Sequence, residues 1–149
     1  MGSLYVVATP IGNLQDITLR AAKTLLSIPY IITESSSKTA NLLNFLRIRF
    51  PDIKGSTPKI VSYSEDEEEL KLPQILTILD EFDVALVSEA GTPLISDPRY
   101  KLVRECINQN ISVDSLPGPS SLITALTLSG LPPDKFLFLG YPPEKPGKR

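Results

Sequence analysis

The chain has 149 residues, of which 42% are hydrophobic and 21% are charged, a balance that suits one globular domain. Its net charge of −2 argues against a protein that holds nucleic acid by phosphate contacts alone, and its lack of histidine excludes histidine triads, proton transfer by histidine and histidine metal sites. With one cysteine, no signal peptide and no apolar stretch near the roughly 20 residues that cross a bilayer, we expect a soluble, cytoplasmic protein.

Five short apolar runs alternate with longer amphipathic stretches along the chain. The runs are β-branched or aromatic, and almost continuously apolar, as in strands covered on both faces. They are residues 4–8, 30–33, 59–63, 84–87 and 111–113. The stretches between them predict helices over residues 17–28, 38–47, 70–81, 98–109 and 119–129. Five βα units in series predict an α/β fold with a mostly parallel five-stranded sheet and helices on both faces.

Cap residues mark several helix ends. Asp16 is a suitable N-cap for the first helix, and Asp97-Pro98 gives the fourth helix a cap followed by proline at the first helical position. Gly130 is placed to be the C′ glycine of the fifth helix. Tyr100 and Cys106 lie on a helical face for which we expect core packing.

Two charged stretches are expected to face water. The acidic run over residues 65–69 is typical of a solvated loop or a first helical turn. A loosely basic stretch has no regularly interleaved aromatic residues, so we expect a solvated loop there rather than an RNA-binding patch. Its members are Arg47, Arg49, Lys54 and Lys59.

The end of the sequence predicts part of a second domain. Residues 136–140 have the apolar pattern of a further strand, but residues 141–149 contain mostly helix and strand breakers and charges. Residues 131–133, Leu-Pro-Pro, suit an interdomain linker. We therefore expect residues 1–130 to form an N-terminal α/β domain and residues 131–149 to hold a linker and the first strand of a truncated second α/β domain.

Three unusual loops follow the first, fourth and fifth strands, at the edge where open parallel sheets bind ligands. They cover residues 9–13, 88–97 and 116–121, and each combines glycine or proline with hydroxyl residues. One such loop would be ordinary turn chemistry, but three on one edge favour a site for a small polar cofactor with a flat ring. Because none has the G-x-G-x-x-G or Walker A pattern, dinucleotide binding and P-loop NTPase activity are poorly supported.

Two carboxylates lie at the same edge. Glu34 ends the second strand, where it could orient or deprotonate a hydroxyl, although a helix-capping or surface role is an open alternative. Glu89 lies inside the loop after the fourth strand, and a binding role there is as well supported as a surface one.

Four segments together resemble one family. They are residues 4–21 (LYVVATPIGNLQDITLRA), 83–98 (DVALVSEAGTPLISDP), 117–126 (PGPSSLITAL) and 136–140 (FLFLG). In order and spacing they are similar to the ribosomal RNA small subunit methyltransferase I family, within the tetrapyrrole-methylase superfamily. Proteins of that family are longer than this chain, which agrees with the expectation of a truncated second domain.

The resemblance implies an S-adenosylmethionine (SAM)-dependent methyltransferase that 2′-O-methylates a cytidine ribose in small-subunit (16S) ribosomal RNA. It also implies two α/β domains with SAM bound between them, a homodimer and no requirement for metal. In an SN2-like transfer, Glu34 is the candidate catalytic residue that orients the 2′-hydroxyl. The implied cofactor-binding residues are Thr9, Pro10, Ser88, Glu89, Gly91, Thr92, Pro93, Ser96, Asp97, Pro119, Ser120 and Ser121.

The chain departs from the family pattern in loops that face the substrate. Glu34 is kept, but serines occupy residues 35–37 where the family usually has Asp-Thr-Arg. Glu89 replaces an aspartate, and residues 64–67 replace a histidine-containing segment. Two alternatives therefore stay open. One is a methyltransferase of the same fold that acts on a tetrapyrrole or another small molecule, and the other is a non-catalytic α/β dimerisation module.

Overall fold

The apolar runs form one parallel sheet in the computed structural model, which describes residues 1–96 and 99–141, with Glu65 as backbone only. The strands are β1 (Ser3–Val7), β2 (Tyr30–Thr33), β3 (Lys59–Ser62), β4 (Val84–Val87) and β5 (Ser112–Leu116). The helices of this part of the chain are α1 (Leu19–Ser27), α2 (Ser36–Arg49), α3 (Glu68–Leu79), α4 (Tyr100–Asn108) and α5 (Ser121–Leu128). Short 3-10 turns occupy Leu14–Asp16 and Glu65–Glu67.

The strand order brings distant parts of the chain together. The order is β3-β2-β4-β1-β5, and each neighbouring pair is parallel. Strand β4 lies in the middle with all its residues buried, as expected for a strand covered on both faces. Val7 pairs with Val87 on one side and with Leu116 on the other. The carboxyl ends of β1, β4 and β5 therefore lie side by side.

Helices cover both faces of the sheet, which confirms the predicted α/β fold. Helices α1 and α2 pack on one face, where Leu46 belongs to a buried cluster with Ala85 of β4. Helices α3 and α4 pack on the other, where Leu102 clusters with Leu86 of the same strand. Adjacent residues of β4 thus serve opposite cores, as the twofold period of a strand requires. Among the described residues, no helix is long and apolar enough to cross a membrane.

Hydroxyl side chains begin the first two helices. Thr18 caps α1 and Ser35 caps α2, each accepting a hydrogen bond from an amide three residues further on. The prediction of Asp16 as the first cap is wrong, because that residue lies in the 3-10 turn before α1 and Thr18 directly precedes the helix. Gly130 follows the C-cap of α5 with φ +68°, which confirms the predicted C′ glycine. The predicted cap Asp97-Pro98 lies outside the described residues.

Burial differs from expectation at two positions. Cys106 is fully buried as predicted, and this burial raises the pKa of its thiol to about 11. Tyr100, expected in the core, is 51% exposed and lies against the Arg104 guanidinium. Glu68, expected in water, is only 2% exposed because it pairs with Lys101 of α4 at 2.8 Å. The hydrogen bond to that carboxylate raises the pKa of Lys101.

Strand β5 is longer than the sequence pattern predicts. The expected strand covered residues 111–113, whereas the observed one ends at Leu116. Its polar residues Asp114 and Ser115 pair with β1 along the backbone while their side chains stay exposed. A strand at the edge of a sheet tolerates such residues, because one side of it meets solvent.

The predicted strand over residues 136–140 is not formed. This segment is irregular, since no strand in the described part of the chain lies beside it to supply backbone hydrogen bonds. Leu137 and Leu139 are about four-fifths exposed, and α5 has no buried residue. The helix and this segment together leave a broad apolar surface. The division into domains at residues 130 and 131 stays a prediction.

Core burial gives the first prediction. Leu46→Ala removes a side chain that is fully buried against the sheet, so the free energy of unfolding should fall by about 2–5 kcal/mol. Ile48→Ala, in the same helix at 83% exposure, is the matched control and should change it by less than about 0.5 kcal/mol. Urea denaturation followed by circular dichroism measures both, and equal losses would contradict the described packing.

Candidate functional site

Two loops are joined at the carboxyl edge of the sheet. The β1–α1 and β4–α4 loops leave adjacent strands towards opposite faces, and this divergence opens a crevice between them. The Thr9 amide donates to the Gly91 carbonyl at 2.9 Å, and the Gly91 amide donates to the Thr9 carbonyl at 3.0 Å. Gly91 has φ +82°, a conformation that other residues rarely adopt. The turn at this bridge therefore depends on glycine.

The β5–α5 loop packs against the same unit. Thr92 donates its hydroxyl to the Pro119 carbonyl at 3.0 Å. A Cβ placed on Gly118 would lie 2.8 Å from the Cβ of Ala8, closer than side chains approach. Glycine at this position lets the third loop reach β1, so the three loops predicted from the sequence form one structural unit.

Three cavities that the described residues form at this edge bear on the site. The first, which we call the hydroxyl cleft, lies between the β4–α4 loop and α5. It encloses about 120 Å³ and presents the hydroxyls of Thr92, Ser120 and Ser121. Ser120 precedes α5 without capping it through its side chain. The amides of the first helical turn also lack intrahelical partners. Ile95 and Phe138 add apolar wall, so the cleft offers both hydrogen-bond donors and a surface for a flat ring.

The second cavity, which we call the α2 cavity, lies between α2 and the loops after β1 and β4. It encloses about 240 Å³ above an apolar floor that includes Leu42 and Val87. Polar groups from Lys38, Asn41 and Glu89 stand around it. The Lys38 ammonium and the Glu89 carboxylate form an ion pair between α2 and the β4–α4 loop.

The third cavity, which we call the carboxylate cavity, adjoins the other two. It encloses about 280 Å³ and includes Glu34 and Arg99 in its lining. It shares Ser88 and Glu89 with the α2 cavity, and Thr92 with the hydroxyl cleft. The three cavities thus form a row along the carboxyl ends of the strands.

Arg99 is a site residue that sequence reasoning missed. Its guanidinium is 1% exposed and donates from Nη1 to the Val87 carbonyl at 3.1 Å. Its Nη2 lies 3.1 Å from Oε1 of Glu34, whose side chain is 38% exposed. One buried cation thus joins the ends of two neighbouring strands. The sequence shows only an arginine near the end of the loop that follows β4, and the strand order is needed to see that it faces Glu34.

The three serines after β2 have a structural role at their first position. Ser35 caps α2, and its own amide donates to Thr33 Oγ1 at 3.2 Å. Thr33 in turn accepts a hydrogen bond from Thr39 at 2.8 Å inside the protein. This network holds the start of α2, and with it Lys38, against the end of β2.

The β4–α4 loop holds two residues in an unusual backbone conformation. Leu94 has φ +75° and Ser96 has φ +56°, although neither is glycine. Such conformations cost roughly 1–3 kcal/mol each and persist where the surrounding structure enforces them, often at ligand sites. Ser96 lines the carboxylate cavity, so the strained loop belongs to the candidate site.

Most of the residues that the sequence singled out lie around these cavities. Pro119 contributes its carbonyl to the loop unit, Pro93 is buried within the β4–α4 loop, and Asp97 lies outside the described residues. The other predicted residues line at least one cavity; these are Thr9, Pro10, Glu34, Ser88, Glu89, Gly91, Thr92, Ser96, Ser120 and Ser121.

Comparison with known proteins confirms the resemblance. Residues 3–146 match the family model of tetrapyrrole (corrin/porphyrin) methylases. Proteins named ribosomal RNA small subunit methyltransferase I are 45% identical in Thermotoga maritima, 48% in Hydrogenobaculum sp. and 43% in Escherichia coli O157:H7. The matches cover 100%, 95% and 97% of this chain, but 64%, 59% and 48% of the relatives. The chain therefore spans only part of the length of the proteins it matches.

A solved structure shares the fold. The uroporphyrin-III-C-methyltransferase from Thermus thermophilus superposes with a TM-score of 0.60 at 20% sequence identity. The superposition covers 89% of this chain and 53% of that protein. At this identity the likeness concerns the fold alone, and it confirms the tetrapyrrole-methylase architecture.

The buried guanidinium gives a second prediction. Arg99→Lys supplies a compact charge that cannot bind the Val87 carbonyl and the Glu34 carboxylate as the planar fork does. The free energy of unfolding should fall by about 1.5–3 kcal/mol in urea denaturation. The control is Arg20→Lys, in an exposed pair with Asp114 at 2.7 Å, with an expected change below about 1 kcal/mol. Indistinguishable losses would show that Arg99 does not link the strand ends.

Proposed function

Because the chain belongs to the tetrapyrrole (corrin/porphyrin) methylase family, we propose that it is part of a SAM-dependent methyltransferase whose acceptor is small-subunit ribosomal RNA. The observation that carries this proposal is the joining of three loops, from β1, β4 and β5, around adjoining cavities at one edge of the sheet. The names of the relatives support the choice of acceptor.

The residues of the hydroxyl cleft fit part of a SAM molecule. Hydroxyls from Ser120 and Ser121 suit the ribose and carboxylate groups of SAM, and Ile95 and Phe138 suit its apolar and ring portions. The Thr92 hydroxyl already donates within the loop unit, and its oxygen can accept from a ribose hydroxyl. The cleft encloses about 120 Å³, less than the roughly 300 Å³ that a pocket for a whole ligand of this size usually needs. We therefore propose that further residues of the complete protein contribute to the cofactor site. Bound SAM supplies an electrophilic methyl group.

In this proposal Glu34 orients the acceptor hydroxyl. Its carboxylate lines the carboxylate cavity, which adjoins the cleft assigned to SAM. The ion pair with Arg99 limits the movement of the carboxylate and offsets its charge. Because Glu34 remains 38% exposed, one side of it can accept a hydrogen bond from a hydroxyl. Glu34 is thus the proposed catalytic residue and Arg99 its positioning residue. Alignment of the nucleophile is the main contribution of the protein to such a transfer.

The proposed acceptor atom is the 2′-oxygen of a cytidine ribose in small-subunit rRNA. The names of the relatives support small-subunit rRNA as the acceptor, and the family resemblance of the motifs supports the 2′-oxygen of a cytidine ribose. The net charge of −2 means that a basic surface for rRNA would have to come from elsewhere in the complete protein, which we propose acts as a homodimer. A small-molecule acceptor such as a tetrapyrrole is the second candidate, since the family model and the structural neighbour both carry tetrapyrrole names.

The methyl-transfer prediction uses the full-length protein, tritiated SAM and small ribosomal subunits that lack the modification. Label should enter the rRNA and map to a ribose. Glu34→Gln keeps the size of the side chain but removes its charge. It should lower kcat strongly and change KM for the subunits much less. Glu69→Gln is the control, because Glu69 lies on α3 and lines none of the three cavities. Label on a base would disprove the ribose assignment, and label in a tetrapyrrole alone would favour the second candidate.

Cofactor affinity gives a separate prediction. Residues 1–149 should bind SAM weakly in isothermal titration calorimetry, with Kd well above that of the full-length protein, because the hydroxyl cleft encloses only part of the molecule. Tight binding by residues 1–149 would show that this part of the protein holds a complete site. Absence of SAM binding by the full-length protein would instead favour the non-catalytic dimerisation module.

A further inference from the structure

We infer that the α2 cavity holds the acceptor nucleotide and that the Lys38 ammonium binds its phosphate. Until RNA binds, the Glu89 carboxylate pairs with this ammonium. This inference rests on the proposed function, since it concerns the acceptor of the same site. It names a chemical partner, a single-stranded RNA phosphate, and a residue that the proposed methyl transfer does not itself require.

The shape of the α2 cavity suits a nucleotide. It combines an apolar floor, including Leu42 and Val87, with polar groups from Lys38, Asn41 and Glu89. A flat base packs on apolar surface whatever its hydrogen-bonding edge, and a phosphate requires a cation nearby. The volume of about 240 Å³ suits one extruded nucleotide rather than a folded RNA element.

The position of the α2 cavity suits an acceptor rather than the cofactor. This inference therefore reassigns to the acceptor four lining residues that the family resemblance implied as cofactor-binding, which are Thr9, Pro10, Ser88 and Glu89. It shares no lining residue with the hydroxyl cleft, but it shares Ser88 and Glu89 with the carboxylate cavity between them. A nucleotide in the α2 cavity therefore lies next to the space that Glu34 lines. Its ribose reaches that space from one side and the cofactor from the other, as transfer between two bound molecules requires.

Lys38 and Arg99 differ in how firmly each is held. Arg99 is 1% exposed and binds both the Val87 carbonyl and the Glu34 carboxylate, so it cannot be released without disturbing the strand ends. The Lys38 side chain is 60% exposed and that of Glu89 is 43% exposed. Exposed pairs of this kind contribute little to stability, so a phosphate can displace Glu89 from Lys38 at little cost. Lys38 is therefore the exchangeable cation of the site.

The exchange explains how an acidic chain can still contribute to RNA binding. Glu89 holds the Lys38 ammonium at the cavity when no phosphate is bound. A bound phosphate then takes the place of the Glu89 carboxylate as the anionic partner of Lys38. Each phosphate contact of this kind releases counterions, so its loss is visible in the salt dependence of binding.

The test measures binding of full-length protein to labelled, unmodified small ribosomal subunits by filter binding over a series of salt concentrations. Lys38→Ala should raise Kd several-fold. It should also make the fall of the log association constant with log salt concentration less steep by about 0.7, which is the contribution of one single-strand phosphate contact. Lys38→Arg should restore most of the affinity, because it keeps the charge. The matched control is Lys54→Ala, an exposed lysine in the α2–β3 loop at the opposite edge of the sheet.

The same variants in the methyl-transfer assay separate the two proposals. Lys38→Ala should raise KM for the subunits and leave KM for SAM unchanged. If Lys38→Ala matches the wild type in Kd, salt slope and KM while methyl transfer proceeds, the phosphate contact is disproved and the proposed function stands. If binding depends on Lys38 but the wild type transfers no methyl group, the contact stands and the proposed function fails. If the wild type does not bind the subunits, both fail.

Discussion

The fold depends on the complete burial of strand β4. All four residues of β4 are enclosed, with Ala85 facing the core under α1 and α2 and Leu86 facing the core under α3 and α4. A polar side chain along such a strand needs a hydrogen-bond partner inside the core, and β4 carries apolar residues only, Val-Ala-Leu-Val. The polar chemistry is therefore displaced to the end of the strand, where the chain leaves the sheet. The β4–α4 loop takes up this chemistry and borders all three cavities.

The same constraint explains the two ion pairs at the edge. The Val87 carbonyl, at the end of the buried strand, needs a donor, and Arg99 supplies one while also binding Glu34. Lys38 and Glu89 meet further out, where solvent reaches both groups. The inner pair holds the two loops in place, and the outer pair can be broken at low cost. The pair of Arg99 and Glu34 is rigid because its cation is buried at the strand ends, and the pair of Lys38 and Glu89 is adaptable because both of its side chains are exposed.

The fold was largely predictable because its signals are local. Apolar runs of three to five residues and the stretches between them predicted the strands of the sheet and the helices that cover it, and Gly130 marked a helix end. Errors arose where tertiary contacts decide. Asp114 and Ser115 extend an edge strand because β1 lies beside them, and Glu68 is buried because α4 brings Lys101 to it.

The candidate site was predicted in part for the same reason. Glycine, proline and hydroxyl residues mark the loops in the sequence, so residues such as Gly91, Thr92 and Ser120 could be identified. Arg99 could not, because only strand order shows that it faces Glu34, 65 positions away by number. The serines at positions 35–37, which depart from the family pattern, include the cap that starts α2 and so help to place Lys38.

The apolar surface of α5 and residues 136–139 has a practical meaning for handling residues 1–149. Leu128, Leu137 and Leu139 are each about four-fifths exposed, and contiguous surface of this kind promotes non-specific association in aqueous buffer. This surface therefore favours self-association of residues 1–149 as their concentration rises.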